Sequence, residues 1–312
     1  MLHPQTRAVL DKLAALGARP LETLTPEEAR VELATFARLR PPVEGACATR
    51  ELAIAIEGGA SIPARLYLPA GAGGDTPVVL YFHGGGHVVG SMDSSDDVAR
   101  RTALACGAAV VSVGYRKGPE HRFPAAVHDA WAALQWVAAH SDELGVDAVR
   151  LAVMGESAGA NLATVAALMA RDAGAPRILG QVLVYPVVDY RLQAASFETY
   201  ARGFGVLSTD AMRWFRDHYL TSAEDAQDWR ASPILAPRLA GLPPTLILAA
   251  ACDPLIDDVR LYAARLAAEG VGTELREYAG AVHGFYSMPH AVDMAREAND
   301  AAARRLKTFL RI

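Results

Sequence analysis

Residues 151–170 read Leu-Ala-Val-Met-Gly-Glu-Ser-Ala-Gly-Ala-Asn-Leu-Ala-Thr-Val-Ala-Ala-Leu-Met-Ala. The first four are apolar throughout, as a strand covered on both faces requires. From Ala158 a long, nearly uncharged run reads as a buried helix. Between them Gly155-Glu156-Ser157-Ala158-Gly159 sets a serine on a strand-to-helix junction. A turn that sharp strains the serine backbone. Its neighbours at 155 and 159 must be small, because side chains there would strike the adjoining strand and helix. With 26 glycines in 312 residues, such a G-x-S-x-G string is expected by chance only about 0.08 times.

Short runs of Val, Ile, Leu and Ala recur on both sides of this junction. Residues 78–82, 108–113, 151–154, 182–185, 245–250 and 274–278 read as strands, several of them without polar alternation. Helical stretches fall between them at about 98–105, 124–140, 158–172, 254–269 and 291–310. Repeated strand–helix units of this kind predict an open, doubly wound α/β sheet. Upstream, 51–57 and 64–68 read as a hairpin, and 5–16 and 27–39 as amphipathic helices. Thr25-Pro26-Glu27-Glu28 looks like a helix cap with proline at the first helical position. One segment breaks the rhythm. Residues 185–219 hold 8 of the 22 aromatics and no strand. An insertion so apolar must bury a face, which predicts a helical cap packed with the N-terminal helices over one end of the sheet. The expected organisation is N-terminal cap helices over 1–45, a core over 46–185, a cap insertion over 186–235 and the rest of the core over 236–312.

Composition excludes several classes. Thirty basic against thirty-five acidic residues leave a net charge of −5, which gives no electrostatic basis for binding nucleic acid or anionic lipid. The longest nearly uncharged run, Ala158 to Ala170, is 13 residues, short of the roughly 18 to 20 a membrane span needs. Met1 to Pro20 has neither the apolar core nor the cleavage site of a secretory signal. Cys47, Cys106 and Cys252 are odd in number and scattered. They read as small buried thiols in a reducing compartment, and the expected location is cytoplasmic.

A second glycine cluster, His83-Gly84-Gly85-Gly86, directly follows the strand at 78–82. Consecutive glycines let backbone N–H groups converge on one point, which suits a developing oxyanion. A dinucleotide loop would need glycine at position 89, which is Val89, and a phosphate loop would need Lys-Ser or Lys-Thr after its last glycine. A serine nucleophile needs a base, and the base needs an orienting acid. Asp253 follows the strand at 245–250, and His283 lies five residues past Tyr278. Both stand at carboxyl ends of strands, where open α/β sheets collect ligands. The alternatives are Asp257 or Asp258 for the acid and His290 for the base.

HGGG at 83–86, YRKGPEHRFPAA at 115–126, GESAGAN at 155–161, DPLIDD at 253–258 and HGF at 283–285 together resemble the hormone-sensitive-lipase-like α/β-hydrolases, the bacterial family IV carboxylesterases. The resemblance covers roughly residues 75 to 312. It implies a mostly parallel eight-stranded sheet flanked by helices, with a helical cap built from the N-terminal helices and an insertion after the sixth strand. It further implies Ser157 as nucleophile, Asp253 as acid and His283 as base. The oxyanion hole it implies is formed by the N–H groups of Gly85, Gly86 and Ala158, with no metal or cofactor. The expected activity is hydrolysis of small-molecule acyl esters of short to medium chain through an acyl-enzyme. An amide or lactone hydrolase with the same three residues is the alternative, and a non-catalytic receptor on this fold a distant third. Two departures stand out: Lys117-Gly118 where the family carries Leu-Ala or similar, and Asp257-Asp258-Val259 where it ends Asp-Glu-Gly. Glu120 reads as a buried structural acid paired with an arginine. The last strand, near 273–278, reads as a sheet edge, which would invite pairing into a homodimer.

Overall fold

The computed structural model describes residues 1–312 except Gly203 and Gly205. Eight strands form one sheet: β1 (Cys47–Ala55), β2 (Ser61–Pro69), β3 (Pro77–Phe82), β4 (Ala109–Val113), β5 (Asp147–Glu156), β6 (Gln181–Val184), β7 (Thr245–Ala250) and β8 (Thr273–Tyr278). Their spatial order is β1-β2-β4-β3-β5-β6-β7-β8. The hairpin β1–β2 is antiparallel and joins β4 antiparallel; every pair from β4 to β8 is parallel. β8 lies at the sheet edge, as its sequence predicts.

Helices α1 (Pro4–Ala15) and α2 (Pro26–Arg38) precede the sheet, and α2 opens on the expected cap. The Glu28 N–H donates to Thr25 Oγ1 while the Thr25 N–H donates to the Glu28 carboxylate, so two orphan donors are satisfied reciprocally. Then come α3 (Asp96–Cys106), α4 (Ala125–Ala139), α5 (Ala158–Ala173), α6 (Thr209–Tyr219), α7 (Ile256–Ala268) and α8 (Asp293–Leu310). Buried side chains of α4, α5 and α7 share one apolar cluster with one face of the sheet; α3 and α8 cover the other. With both faces covered, β3, β4, β6 and β7 are buried at every position. Each wholly buried Val or Leu there contributes about 1.5–3 kcal/mol, so the central strands anchor whatever is mounted at their ends.

The segment between β6 and β7 holds α6 and short helical turns but no strand among its described residues. α6 packs beside the turn at Leu21–Thr23: Trp214 Nε1–H donates to the Leu24 carbonyl at 3.1 Å and Ser208 Oγ–H to Glu22 at 3.0 Å. α1 docks elsewhere. Its His3 N–H donates to the Gly280 carbonyl at 3.1 Å, and Gln5 exchanges two hydrogen bonds with Asp293. Cys106 and Cys252 are buried, Cys47 is partly exposed, and all three are free thiols. Among the described residues no helix is long and apolar enough to cross a membrane.

Candidate active site

The end of β5 delivers Ser157 as expected. Its backbone sits at φ 55°, ψ −119°, a region a side chain enters only when its surroundings impose it. Those surroundings are visible: the Ser157 N–H donates to the Val184 carbonyl at 2.8 Å, and the Ser157 carbonyl accepts from Asn161 and Val187. Gly159 shows why the turn tolerates nothing larger, since a Cβ there would strike the carbonyls of Phe82 and His83.

His283 and Asp253 converge on this serine from two other strand ends. His283 Nε2 lies 3.0 Å from Ser157 Oγ, and His283 Nδ1 lies 2.7 Å from Asp253 Oδ2. The second Asp253 oxygen accepts the Leu255 N–H at 3.0 Å, which fixes the carboxylate's rotation. Asp253 is buried and the His283 side chain nearly so. Their loops are stitched together by Ala251 N–H to the Tyr278 carbonyl and Cys252 N–H to the Ala281 carbonyl. Neither Asp257, half-buried and paired with Arg260, nor buried Asp258, nor His290 makes a described hydrogen bond to Ser157 or His283.

The glycine loop runs alongside. A Cβ on Gly84 would lie 3.6 Å from Ser157 Cβ, so backbone and serine are in contact range. Gly85 adopts φ 122° and its carbonyl accepts from both Val88 and Val89; a Cβ on Gly85 would collide with the Val89 carbonyl. Among the described hydrogen bonds none uses the N–H groups of Gly85, Gly86 or Ala158. Three donors are thus unspent, two on the loop whose Gly84 approaches Ser157 and one on the residue after Ser157.

Side chains behind the loop hold it in place. His83 is buried, stacks on Tyr115 with ring centroids 4.4 Å apart, and bonds the Gly84 carbonyl through Nδ1 at 2.7 Å. Burial, with Lys117 nearby, depresses its pKa to about 3, so it stays neutral and structural. His87, at φ 60°, stacks on Tyr219 of α6 at 3.9 Å and pairs with the Tyr190 hydroxyl at 2.7 Å. Phe215, also on α6, covers Gly86 closely enough that a Cβ there would meet its ring. From α2, Arg30 donates to the carbonyls of Val88 and Gly118 and forms a bidentate pair with Glu120. Glu120 is therefore paired with an arginine as expected, but exposed rather than buried, because its loop lies on the surface against α2. Arg30 holds the Glu120 carboxyl down at about 2.

Sequence reasoning assigned no part in this site to Arg30, His87 or Phe215. Arg30 carried no local signal, since its partners lie 58 to 90 residues away. Two cavities, about 410 Å³ beside Arg30 and Lys117 and about 510 Å³ between α3 and α8, are not lined by Ser157. Convergent chemistry, not hollow volume, marks the site. Among the described residues no three His, Cys, Asp or Glu side chains gather as metal ligands would.

A family described as "alpha/beta hydrolase fold" matches residues 79–287. The carboxylesterase NlhH of Mycobacterium tuberculosis is 38% identical, with 99% of this chain and 97% of the relative covered. Ethyl acetate hydrolase of Pseudomonas putida is 36% identical over 89% of this chain and 88% of its own. Among solved structures, a hyperthermophilic esterase from the archaeon Pyrobaculum calidifontis superposes with a TM-score of 0.92 at 39% identity, covering 98% of both chains. A thermostable esterase from Pseudomonas putida reaches 0.95 at 36% identity over 100% of this chain and 98% of that one. Fold, strand order and the full-length likenesses agree: the chain belongs to the α/β-hydrolase-fold family, in its hormone-sensitive-lipase-like branch.

Proposed function

We propose that this carboxylic ester hydrolase is a serine esterase in which Ser157 is the nucleophile, His283 the general base and acid, and Asp253 the group that orients His283. The observation that carries this reading is the unbroken line Ser157 Oγ–His283–Asp253, at 3.0 Å and 2.7 Å, beside three unspent backbone donors. In the first half-reaction His283 Nε2 takes the Ser157 proton as Oγ attacks the ester carbonyl. The carbonyl oxygen gains negative charge opposite the N–H groups of Gly85, Gly86 and Ala158, which stabilise the transition state more than the ground state. His283 then hands the proton to the departing alkoxide, leaving an acyl-Ser157. A water enters by the same steps and releases the acid. Asp253 stays ionised throughout and compensates the transient imidazolium.

The contacts of α6 with residues 21–24 and the position of Phe215 on Gly86 support a roof over Ser157 made of residues 1–45 and 186–235. A roofed pocket has finite depth, so short to medium acyl chains fit best. The ethyl acetate hydrolase among the relatives agrees with that choice. The free edge of β8 offers a place for a second copy to pair.

The test is Ser157→Ala together with a serine-directed phosphonate. The substitution should keep the fold and lower ester hydrolysis by on the order of 10⁶. The phosphonate should add one equivalent of mass, at residue 157 alone. Labelling elsewhere, or an active Ser157→Ala enzyme, would overturn the assignment.

A further inference from the structure

Glu156, immediately before Ser157, is a buried acid that the hydrolytic steps do not use. None of the ion pairs among the described residues includes it. Three hydroxyl groups answer its carboxylate instead. Tyr81 Oη–H donates to Oε1 at 2.5 Å, while Tyr185 Oη–H at 2.8 Å and Ser287 Oγ–H at 3.2 Å donate to Oε2. Burial and the neighbouring carboxylate push both phenols well above their ordinary range, so they stay protonated donors.

The partners differ in where they lead. Tyr81, fully buried on β3, anchors the carboxylate to the core. Tyr185 leads to the base: its ring lies against the His283 imidazole with centroids 4.5 Å apart. Tyr185 is also held at φ 35°, uncommon for an aromatic residue, by its N–H bond to the Leu248 carbonyl at 2.7 Å. Ser287 leads to the same place by another route, lying four residues beyond His283 on its loop. One carboxylate on the strand that carries the serine therefore fixes the wall against which the histidine rests and the loop from which it projects.

We propose that Glu156 is a positioning residue for His283, acting through Tyr185 and Ser287. The inference rests on the reading of Ser157 and His283 given above. A bridging hydrogen bond of 3.0 Å between Ser157 Oγ and His283 Nε2 leaves little room for the imidazole to drift. Loss of about an ångström of registration is enough to lower the rate on the order of 10²-fold.

The experiment pairs Glu156→Gln with Tyr185→Phe and combines the two. The first substitution keeps the side-chain volume but loses the charged acceptor that serves Tyr185 and Ser287. The second keeps the ring but loses its tether. Each variant should lower kcat by about 10- to 100-fold with KM nearly unchanged, and slow phosphonate labelling of Ser157 in proportion. The double variant should lose little more than the worse single one, because both act through one connection. The downfield proton resonance of His283 Nδ1–H should broaden or shift in both. Wild-type kcat and labelling with only a lowered melting temperature would assign Glu156 to stability alone and overturn the proposal. So would single losses that multiply in the double variant. If Glu156→Gln fails to fold, Tyr185→Phe decides by the same kcat and labelling measurements. An active Ser157→Ala enzyme would instead bring down the reading beneath it, so the two failures are distinguishable.

Discussion

Asp253→Asn tests the orientation of His283 more sharply than removal of the side chain. One Asp253 oxygen accepts the Leu255 backbone N–H at 3.0 Å and the other faces His283 Nδ1 at 2.7 Å. An asparagine in the same rotamer must present its carbonyl oxygen to Leu255, because its NH₂ group cannot accept that bond. The NH₂ then points at His283 Nδ1 and donates to it. That forces the tautomer with a proton on Nε2, the atom 3.0 Å from Ser157 Oγ, so the base is already protonated where it should accept. Asparagine at such a position lowers kcat by about 10⁴, or roughly 5.4 kcal/mol of transition-state stabilisation. Volume and hydrogen-bond count change little, so the fold should persist. Initial rates with p-nitrophenyl butyrate, alongside circular dichroism and a melting curve, measure the effect. An Asp253→Asn enzyme that is folded and within tenfold of wild-type kcat would show that this carboxylate does not set the His283 tautomer.

Phe215→Ala should open space beside Gly86 and move the acyl-chain optimum to longer esters, each accommodated methylene gaining about fourfold in kcat/KM, as read from a p-nitrophenyl ester series. Asp258 is buried facing Asp189 and Asp257, with Arg191 partly compensating, and its pKa is raised to about 7. The folded state therefore binds this proton more tightly than the unfolded chain, and stability falls as pH rises from about 4 to 7. Asp258→Asn should raise the melting temperature at pH 8 and flatten its decline over that interval; an unchanged melting temperature at pH 8 would contradict the burial argument. Asp129 is fully buried and paired bidentately with Arg116, whose side chain is one-third exposed. Asp129→Ala should cost about 3 kcal/mol in urea unfolding, the lower end for breaking a buried pair because Arg116 can turn to solvent.

Much of the core was legible because its strands are apolar throughout and its turns carry glycine at fixed offsets. β7 matches its expected span, β3, β4 and β8 differ by a residue at one end, and β6 is shifted by one residue. β5 is longer than its apolar centre, starting at Asp147 with half-exposed residues that pattern alone reads as loop. Ser157, Asp253 and His283 were legible as types in chain order, and the structure brings all three into hydrogen-bond range. What the sequence concealed is how the site is supported. Tyr185 and Phe215 counted among the aromatics that predicted a helical cap, and His87 carried no signal of its own. Their roles depend on partners such as His283, Tyr219 and Gly86, all distant in the chain. Glu156 sat inside the quoted motif, yet its three donors come from residues 81, 185 and 287.

Helix α6, part of the proposed roof, braces the glycine loop beside Ser157, with Phe215 against Gly86 and Tyr219 stacked on His87. A conventional lid swings clear and leaves the machinery below unchanged. Here, under the proposed reaction, lifting α6 would strip a wall from the glycine loop, so an open form would be a poor stabiliser of tetrahedral charge. The route by which such a protein acquires new substrates is correspondingly narrow. Exchanging the whole insertion with that of a relative would disturb turnover along with selectivity. Even a single change such as Phe215→Ala, which widens what enters, would loosen the wall on Gly86 and cost some turnover.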